Sequence, residues 1–360
     1  NANYFIMECR FMLKDYDYVI AEGDKMYQTV PADRKSHLAR IISESYLVRG
    51  QNEMARRYYD LSLKGDREAN TRADWFYSGS VLYAVKDYRG AVDNFTRMGE
   101  RRDSLGQIAS YNLGYCYIQI KDKVSAMGAF REASVLDYDA SIAEDALFNY
   151  AKLAFDLNSD VSGFNEYLSK YSSAVKSEQI YSYMAVGALY NHDYASAVEA
   201  YDRIDELDES MRMNYMKANY LRAEQLIRNG SYRKAVPCLK AAAYYSEKNS
   251  RVNQLSRFWL AEAYYRNDQY ADARDIFSEL YNASALYGQP ESYLIPYNIA
   301  YCYFKEGNYT LAKKWFGEYL GETSVRYRKE ALLRRADCDF VARDSKTDDG
   351  AYDLVLRDYF

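Results

Sequence analysis

The chain repeats itself every 34 to 39 residues, and no other feature limits its possible folds as strongly. Three stretches show the period: SYNLGYCYIQIKDKVSAMGAFREAS from Ser110, RFWLAEAYYRNDQYADARDIFSELY from Arg257 and PYNIAYCYFKEGNYTLAKKWFGEYL from Pro296. Each reads as a first helix, a short polar turn and a second helix, and alignment on them gives ten copies. One first-helix site is small in nine copies: Ser43, Gly79, Gly114, Ala151, Ala185, Ala223, Ala261, Ala300 and Ala336, with Met7 the exception. Twelve residues later a second small site falls in the second helix, at Ala55, Ala91, Ala126, Gly163, Ala197, Ala235, Ala273 and Ala312. Val19 departs from it, and the last copy supplies Ala351 only with three residues inserted in its turn. Small side chains at a crossing let two helix axes approach to the short end of the ~8–10 Å packing range. Four residues past the second site an aromatic recurs, at Tyr59, Phe95, Phe130, Tyr167, Tyr201, Phe277 and Phe316. One turn along the same face, it is placed to plug the gap beside the small pair.

The turns follow a pattern too. KDYD, KDYR, HDYA, GSYR, DQYA and GNYT set Tyr16, Tyr88, Tyr194, Tyr232, Tyr270 and Tyr309 three residues before the second-helix small site, after residues that stop one helix and cap the next. Four prolines and 17 glycines are too few for a turn-rich all-β chain. Pro237 and Pro296 are expected in the first turns of their helices, and Pro290 in a connecting turn beside Gly288.

These residues resemble the tetratricopeptide repeat, whose pattern runs Trp–Leu–Gly–Tyr, then Gly–Asp–Tyr, Ala, Phe/Tyr and Ala. DWFYSGSVLYAVKDYRGAVDNF even carries the tryptophan, Trp75, ahead of Gly79. The resemblance covers essentially the whole chain and implies an all-α, right-handed superhelical solenoid of about ten antiparallel helix pairs. One continuous array over 1–360 is expected, with degenerate copies near 1–35 and 327–360. The family's proline after the second helix survives only as Pro31, and its last small residue is clear only at Ala133 and Ala242. Stretched, tyrosine-rich copies of this kind are similar to those of bacterial envelope proteins, which implies a periplasmic-side location. The first residue, Asn1, and an ending inside a helix-like stretch suggest a piece of a longer chain.

In such a solenoid first helices line the concave surface. The stripe facing it is read three residues before each small site, then four and seven residues on from there. It comprises Phe76, Ser80 and Tyr83; Tyr111, Tyr115 and Ile118; Phe148, Lys152 and Phe155. It continues with Tyr220, Glu224 and Ile227; Phe258, Glu262 and Tyr265; Tyr297, Tyr301 and Phe304. The aromatic members form the candidate partner-binding ladder, and the same rings equally suit a role as buttresses between neighbouring helices. Relatives that clamp a C-terminal carboxylate use a lysine and asparagines on this stripe. Asn112, Asn149 and Asn298 occur here, but Tyr111, Phe148 and Tyr297 stand where the lysine would, which argues against that clamp. A basic cluster, Arg326, Arg328, Lys329, Arg334 and Arg335, marks the last copy.

Charge and chemistry narrow the function further. With 47 basic and 52 acidic side chains, the chain has no broad electrostatic drive towards nucleic acid. No apolar run is long enough to span a bilayer. Two histidines, His37 and His192, are too few for most metal or general-base schemes, and no metalloprotease, nucleophile-elbow or phosphate-loop motif occurs. DSKTDDG (344–350) lacks the closing glutamate of a calcium loop. Of five cysteines, Cys9, Cys116, Cys302 and Cys338 share one place in four copies and read as small buried residues, while Cys238 has no evident partner. The expected function is a non-enzymatic scaffold or adaptor for a protein or peptide, with no cofactor. The alternatives are a docking or sensor arm of a longer enzyme or regulator, and a carbohydrate-binding surface.

Overall fold

A computed structural model of the chain describes residues 2–64, 71–281, 286, 288–321 and 326–341. These contain nineteen α-helices and no strand. They divide into two compact units, Asn1–Ser177 and Glu178–Phe360. The first holds α1 (Ala2–Met12), α2 (Tyr16–Thr29), α3 (Ala32–Val48), α4 (Asn52–Ser62), α5 (Arg72–Ala84), α6 (Tyr88–Arg97), α7 (Ser104–Gln119), α8 (Lys123–Ser134), α9 (Ala140–Asn158) and α10 (Ser162–Lys170). The boundary falls within α11 (Ala174–Tyr190), and the second holds α12 (Tyr194–Tyr201), α13 (Glu209–Arg228), α14 (Tyr232–Tyr245), α15 (Arg251–Arg266), α16 (Tyr270–Leu280), α17 (Pro290–Lys305), α18 (Tyr309–Gly321) and α19 (Arg328–Val341). Odd-numbered helices are the first helices of the pairs. α8 packs on its own first helix, α7, and on the next, α9, and α14 does the same with α13 and α15.

The small sites are where the helices cross. Ser43 donates from Oγ to the Ala55 carbonyl at 2.7 Å, and a Cβ on Gly163 would stand 2.9 Å from the Ala151 backbone. The aromatic four residues on fills the remaining space. A Cβ at Gly79 would meet the Phe95 ring at 2.7 Å, and one at Gly114 the Phe130 ring at 2.6 Å. Burial of such a ring contributes several kcal/mol, since Phe→Ala in a core costs about 3–5 kcal/mol. The first pair inverts these volumes. Met7 and Val19, both fully buried, occupy the crossing, and Gly23 takes the ring's place with Ile42 packed against it.

The tyrosines of the turns are the first residues of α2, α6, α12, α14, α16 and α18. Before each, one residue enters the left-handed region. It is Lys14, His192 or Asp268 (φ 62°) and Lys86 (φ 64°) in four turns, and Gly230 or Gly307 in two. The next residue donates its N–H five residues back, as Asp87 does to Leu82 and Asp193 to Ala188. That bond closes the preceding helix, while the same Asp87 and Asp193 side chains accept from Gly90 and Ser196 N–H to open the next. One residue thus serves as the end of one helix and the cap of another.

Two proline assignments need correction. Pro290 opens α17, so Pro296 lies seven residues into that helix rather than in its first turn. Pro237 is likewise interior to α14. Both helices start earlier than a Pro-at-start rule suggests, because the turn tyrosine or Pro290 itself sets the first residue. Ala351 and the 344–350 segment lie outside the described residues. All five cysteines are free, as expected, but Cys9 is exposed, and only Cys116, Cys302 and Cys338 are buried. Burial pushes the Cys116 and Cys302 thiols up to about 12.

Candidate functional site

The ladder splits by position. Phe76, Phe148 and Phe258, three residues before their small sites, are buried against plug rings: Phe76–Phe95 at 6.1 Å, Phe148–Tyr167 at 5.8 Å and Phe258–Phe277 at 5.5 Å. Tyr115 and Tyr301, one residue after theirs, meet Phe130 and Phe316 edge-on at 5.2 and 5.3 Å. Tyr83, Tyr265 and Phe304, further along, pack on the turn tyrosines Tyr88, Tyr270 and Tyr309. Phe155 packs on Phe164 at 5.5 Å, and Tyr220 is half-buried on α13. Every ladder residue is at least partly buried. Much of the ladder therefore supports the array from within.

Two hydrogen-bonded nodes cross from one first helix to the next. In the first unit, Tyr111 and Tyr115 on α7 both donate to Asp145 Oδ2 on α9, at 2.7 and 3.0 Å. Asn149 Nδ2 adds a bond at 2.8 Å and Lys176 Nζ pairs with Oδ1 at 3.1 Å. Burial opposes ionisation of Asp145, but the hydrogen bonds from Tyr111, Lys176 and Tyr115 together outweigh it and hold the carboxyl below its usual range. In the second unit, Tyr301 on α17 donates to Glu330 Oε1 on α19 at 2.5 Å, and Arg334 Nε donates to the same hydroxyl at 3.3 Å. Tyr297 stacks on Tyr327 at 5.3 Å, and its hydroxyl is raised far above its usual value by burial and by the Tyr301 and Glu330 neighbours. Asp145 and Glu330 both stand six residues before a small site, a signal the sequence carried and the ladder reading missed.

Within the second unit, a cavity of about 540 Å³ brings four ladder residues together: Phe258, Tyr265, Tyr297 and Tyr301. It does not include Phe304 or Tyr220. Its polar lining includes Glu262, paired with Arg266 at 2.8 Å, Asn298, Glu330 and Arg326, whose guanidinium lies 5.3 Å from the Tyr327 ring. Asn149 is committed to Asp145, whereas Asn298 has no hydrogen-bond partner among the described residues. Two members of the basic cluster have separate local partners: Arg334 pairs with Asp337 at 2.8 Å and Arg328 donates to the Leu320 carbonyl.

The first unit contains a smaller cavity, about 330 Å³, lined by Glu8, His37, Arg40, Glu44 and Asp74. Arg40 pairs with Asp74 at 2.9 Å, and His37 Nδ1 lies 3.2 Å from Glu8 Oε1. Burial raises the Glu44 carboxyl to about 7 despite a hydrogen bond with Tyr77. Sequence patterning gave no hint of this cluster, because its members come from three first helices. No group of residues with metal-ligand geometry occurs among the described residues, and no described helix is long and apolar enough to cross a membrane.

A tetratricopeptide-repeat family model matches residues 220–287. No curated protein matches the sequence. Among solved structures, the chain is similar to the C-terminal part of a TPR repeat-containing protein from Cytophaga hutchinsonii (15% identity, 72% of this chain and 98% of that one, TM-score 0.33). It is also similar to the apo form of RapI (12% identity, 90% and 85%, TM-score 0.35) and to the apo form of the quorum sensor NprR from B. thuringiensis (12%, 89% and 97%, TM-score 0.32). By sequence, residues 220–287 match the tetratricopeptide repeat, and α-helices in the same alternation of first and second helices precede and follow them.

Proposed function

We propose that the chain is a non-enzymatic scaffold that holds a polypeptide segment against the first helices α15, α17 and α19. The observation that supports this reading is the 540 Å³ cavity, whose lining combines Tyr265, Tyr297 and Tyr301 with the Asn298 amide. Aromatic walls give contact area at low entropic cost, and a side-chain amide aligns a backbone through paired donor and acceptor. Opposite charges at the margin, Glu262 and Arg326, favour a segment of mixed rather than uniform charge. The first-unit ladder, Phe76, Tyr83, Tyr111, Tyr115, Phe148 and Phe155, has its rings and hydroxyls occupied internally to a greater degree, and its role in this reading is to hold the helices in register.

The test is binding of a co-purifying partner to Asn298→Ala and Arg326→Ala chains, measured by calorimetry alongside thermal melts. Each substitution is expected to weaken binding about three- to thirtyfold with an unchanged melting temperature. Unchanged affinity in both would remove the cavity as the binding site.

A further inference from the structure

α1 turns an apolar face outward. Phe5, Ile6, Met12 and Leu13 are 45–80% exposed, and Ala2 and Cys9 beside them are exposed as well. Ala2, Ile6, Cys9 and Leu13 stand four, three and four residues apart, so they form one stripe along the helix. A helix that closes a repeat array presents polar residues on its outer face, and α1 does not.

The same stripe is buried in other copies. Two residues after the small site, where α1 has Cys9, the array places Val81, Cys116, Leu153, Cys302 and Cys338, all buried. One residue before it, where α1 has Ile6, Ile42, Leu113 and Ile299 are buried too. The second helix of the preceding pair supplies the cover. Ile299 and Cys302 on α17 share a core cluster with Ala273, Phe277 and Leu280 of α16, and Ala331 and Cys338 on α19 share one with Ala312, Phe316 and Tyr319 of α18. The match between α17 and α1 extends to residue identity: Tyr297, Ile299, Cys302 and Phe304 fall where α1 has Tyr4, Ile6, Cys9 and Phe11. At the margin the two differ. Glu306, just past α17, accepts from Arg274 of α16, and Leu13 takes its place beside α1.

We propose that α1 docks an amphipathic α-helix of another polypeptide, with a small residue, an aromatic four positions on and an apolar residue three beyond that, as Ala273, Phe277 and Leu280 stand in α16. This contact continues the stacking that joins each of these second helices to the next first helix, and it buries the stripe that the other copies bury. With Leu13 in place of Glu306, the docked helix carries an apolar residue where α16 has Arg274. A second copy of the chain is a poor donor, because α2, α6, α8, α14, α16 and α18 each already pack on the following first helix. The surface shares no residue with the α15–α19 cavity.

The experiment titrates the intact chain into a fluorescein-labelled peptide of residues 270–280, stapled between positions 271 and 275, which are exposed in α16. Anisotropy is expected to show binding at roughly 10–100 μM. Phe277→Ser in the peptide is expected to weaken it about tenfold or more, and Arg274→Leu to strengthen it about two- to fivefold. In the chain, Ile6→Glu at its exposed position is expected to weaken binding about tenfold or more with an unchanged melting temperature. Met213→Glu, an exposed apolar position on α13, is expected to leave it unchanged. On the unsubstituted chain, saturating peptide is expected to slow alkylation of Cys9 about fivefold or more, read by mass spectrometry of the digested chain. No anisotropy change up to roughly 500 μM, equal binding to the Ile6→Glu chain, or unslowed Cys9 alkylation at saturation would each overturn the proposal. Sedimentation of the chain alone is expected to show a monomer up to roughly 100 μM. A dimer abolished by Ile6→Glu would assign the face to a second copy and overturn the partner helix.

Discussion

Gly114→Ala adds one methyl group at the most demanding point of the array. A Cβ there would stand 2.6–2.7 Å from three carbons of the Phe130 ring, against an ordinary carbon–carbon separation of ~3.5–4.0 Å. The ring has little room to retreat. It is 1% exposed and is held edge-on by Tyr111 at 6.0 Å and Tyr115 at 5.2 Å. Tyr111 and Tyr115 are in turn fixed through Asp145. Overpacking of this kind costs about 1–3 kcal/mol. Against it, replacing a mid-helix glycine by alanine gains about 0.5–1 kcal/mol of helix propensity. Gly128 on α8 isolates that gain, because a Cβ there meets nothing within 4 Å. Gly128→Ala is expected to stabilise the chain, and Gly114→Ala to fall about 1–3 kcal/mol below it. Urea unfolding followed by far-UV circular dichroism measures both. A double variant, Gly114→Ala with Phe130→Leu, should lose less than the sum of the single losses, because shortening the ring relieves the clash. If Gly114→Ala gains as much as Gly128→Ala, the small site is not a crossing and the packing argument fails.

Other outcomes follow from the same contacts. Glu44 has its folded carboxyl raised from 4.5 to about 7, so the folded state holds a proton the unfolded chain releases, and stability is lost as pH rises through that window. Glu44→Gln should match the parent near pH 4 and exceed it by up to about 3 kcal/mol at pH 8; a pH-independent difference in urea midpoints would refute the assignment. Tyr301→Phe removes the bonds to Glu330 and Arg334 and should cost about 1–2 kcal/mol with partner binding retained. Tyr301→Ala, which also strips its contact with Phe316, should lower thermal stability and binding together. Thiol labelling of the native chain should modify Cys9 rapidly and leave Cys116, Cys302 and Cys338 unreacted until denaturant is added.

The helix pairs were legible because their signals are local. A small residue, another twelve positions on and a ring four beyond that all act within a single pair, and Gly114, Ala126 and Phe130 meet as that spacing requires. The turn tyrosines were equally plain, since Tyr88 and Tyr270 each begin a helix. The left-handed turn residues were harder to see, because Lys14 and Lys86 do the work usually assigned to glycine. The first pair escaped the pattern because a core constrains total volume, and Met7, Val19 and Gly23 reach it by another partition. The nodes at Asp145 and Glu330 depend on residues 29 to 34 positions apart, so they emerge only once neighbouring copies are side by side. The same distance concealed that Tyr111, Tyr115 and Tyr301 are structural as well as candidate contact residues.

In the proposed function, the first helices of the second unit hold a polypeptide. Photo-crosslinking tests it most directly, with p-benzoylphenylalanine in place of Asn298 in one chain and of Lys240 on α14, outside the cavity, in another. A co-purifying polypeptide is expected to crosslink from position 298 and not from position 240, and excess unlabelled parent chain is expected to suppress the product. Crosslinking from position 240 with none from position 298 would contradict it.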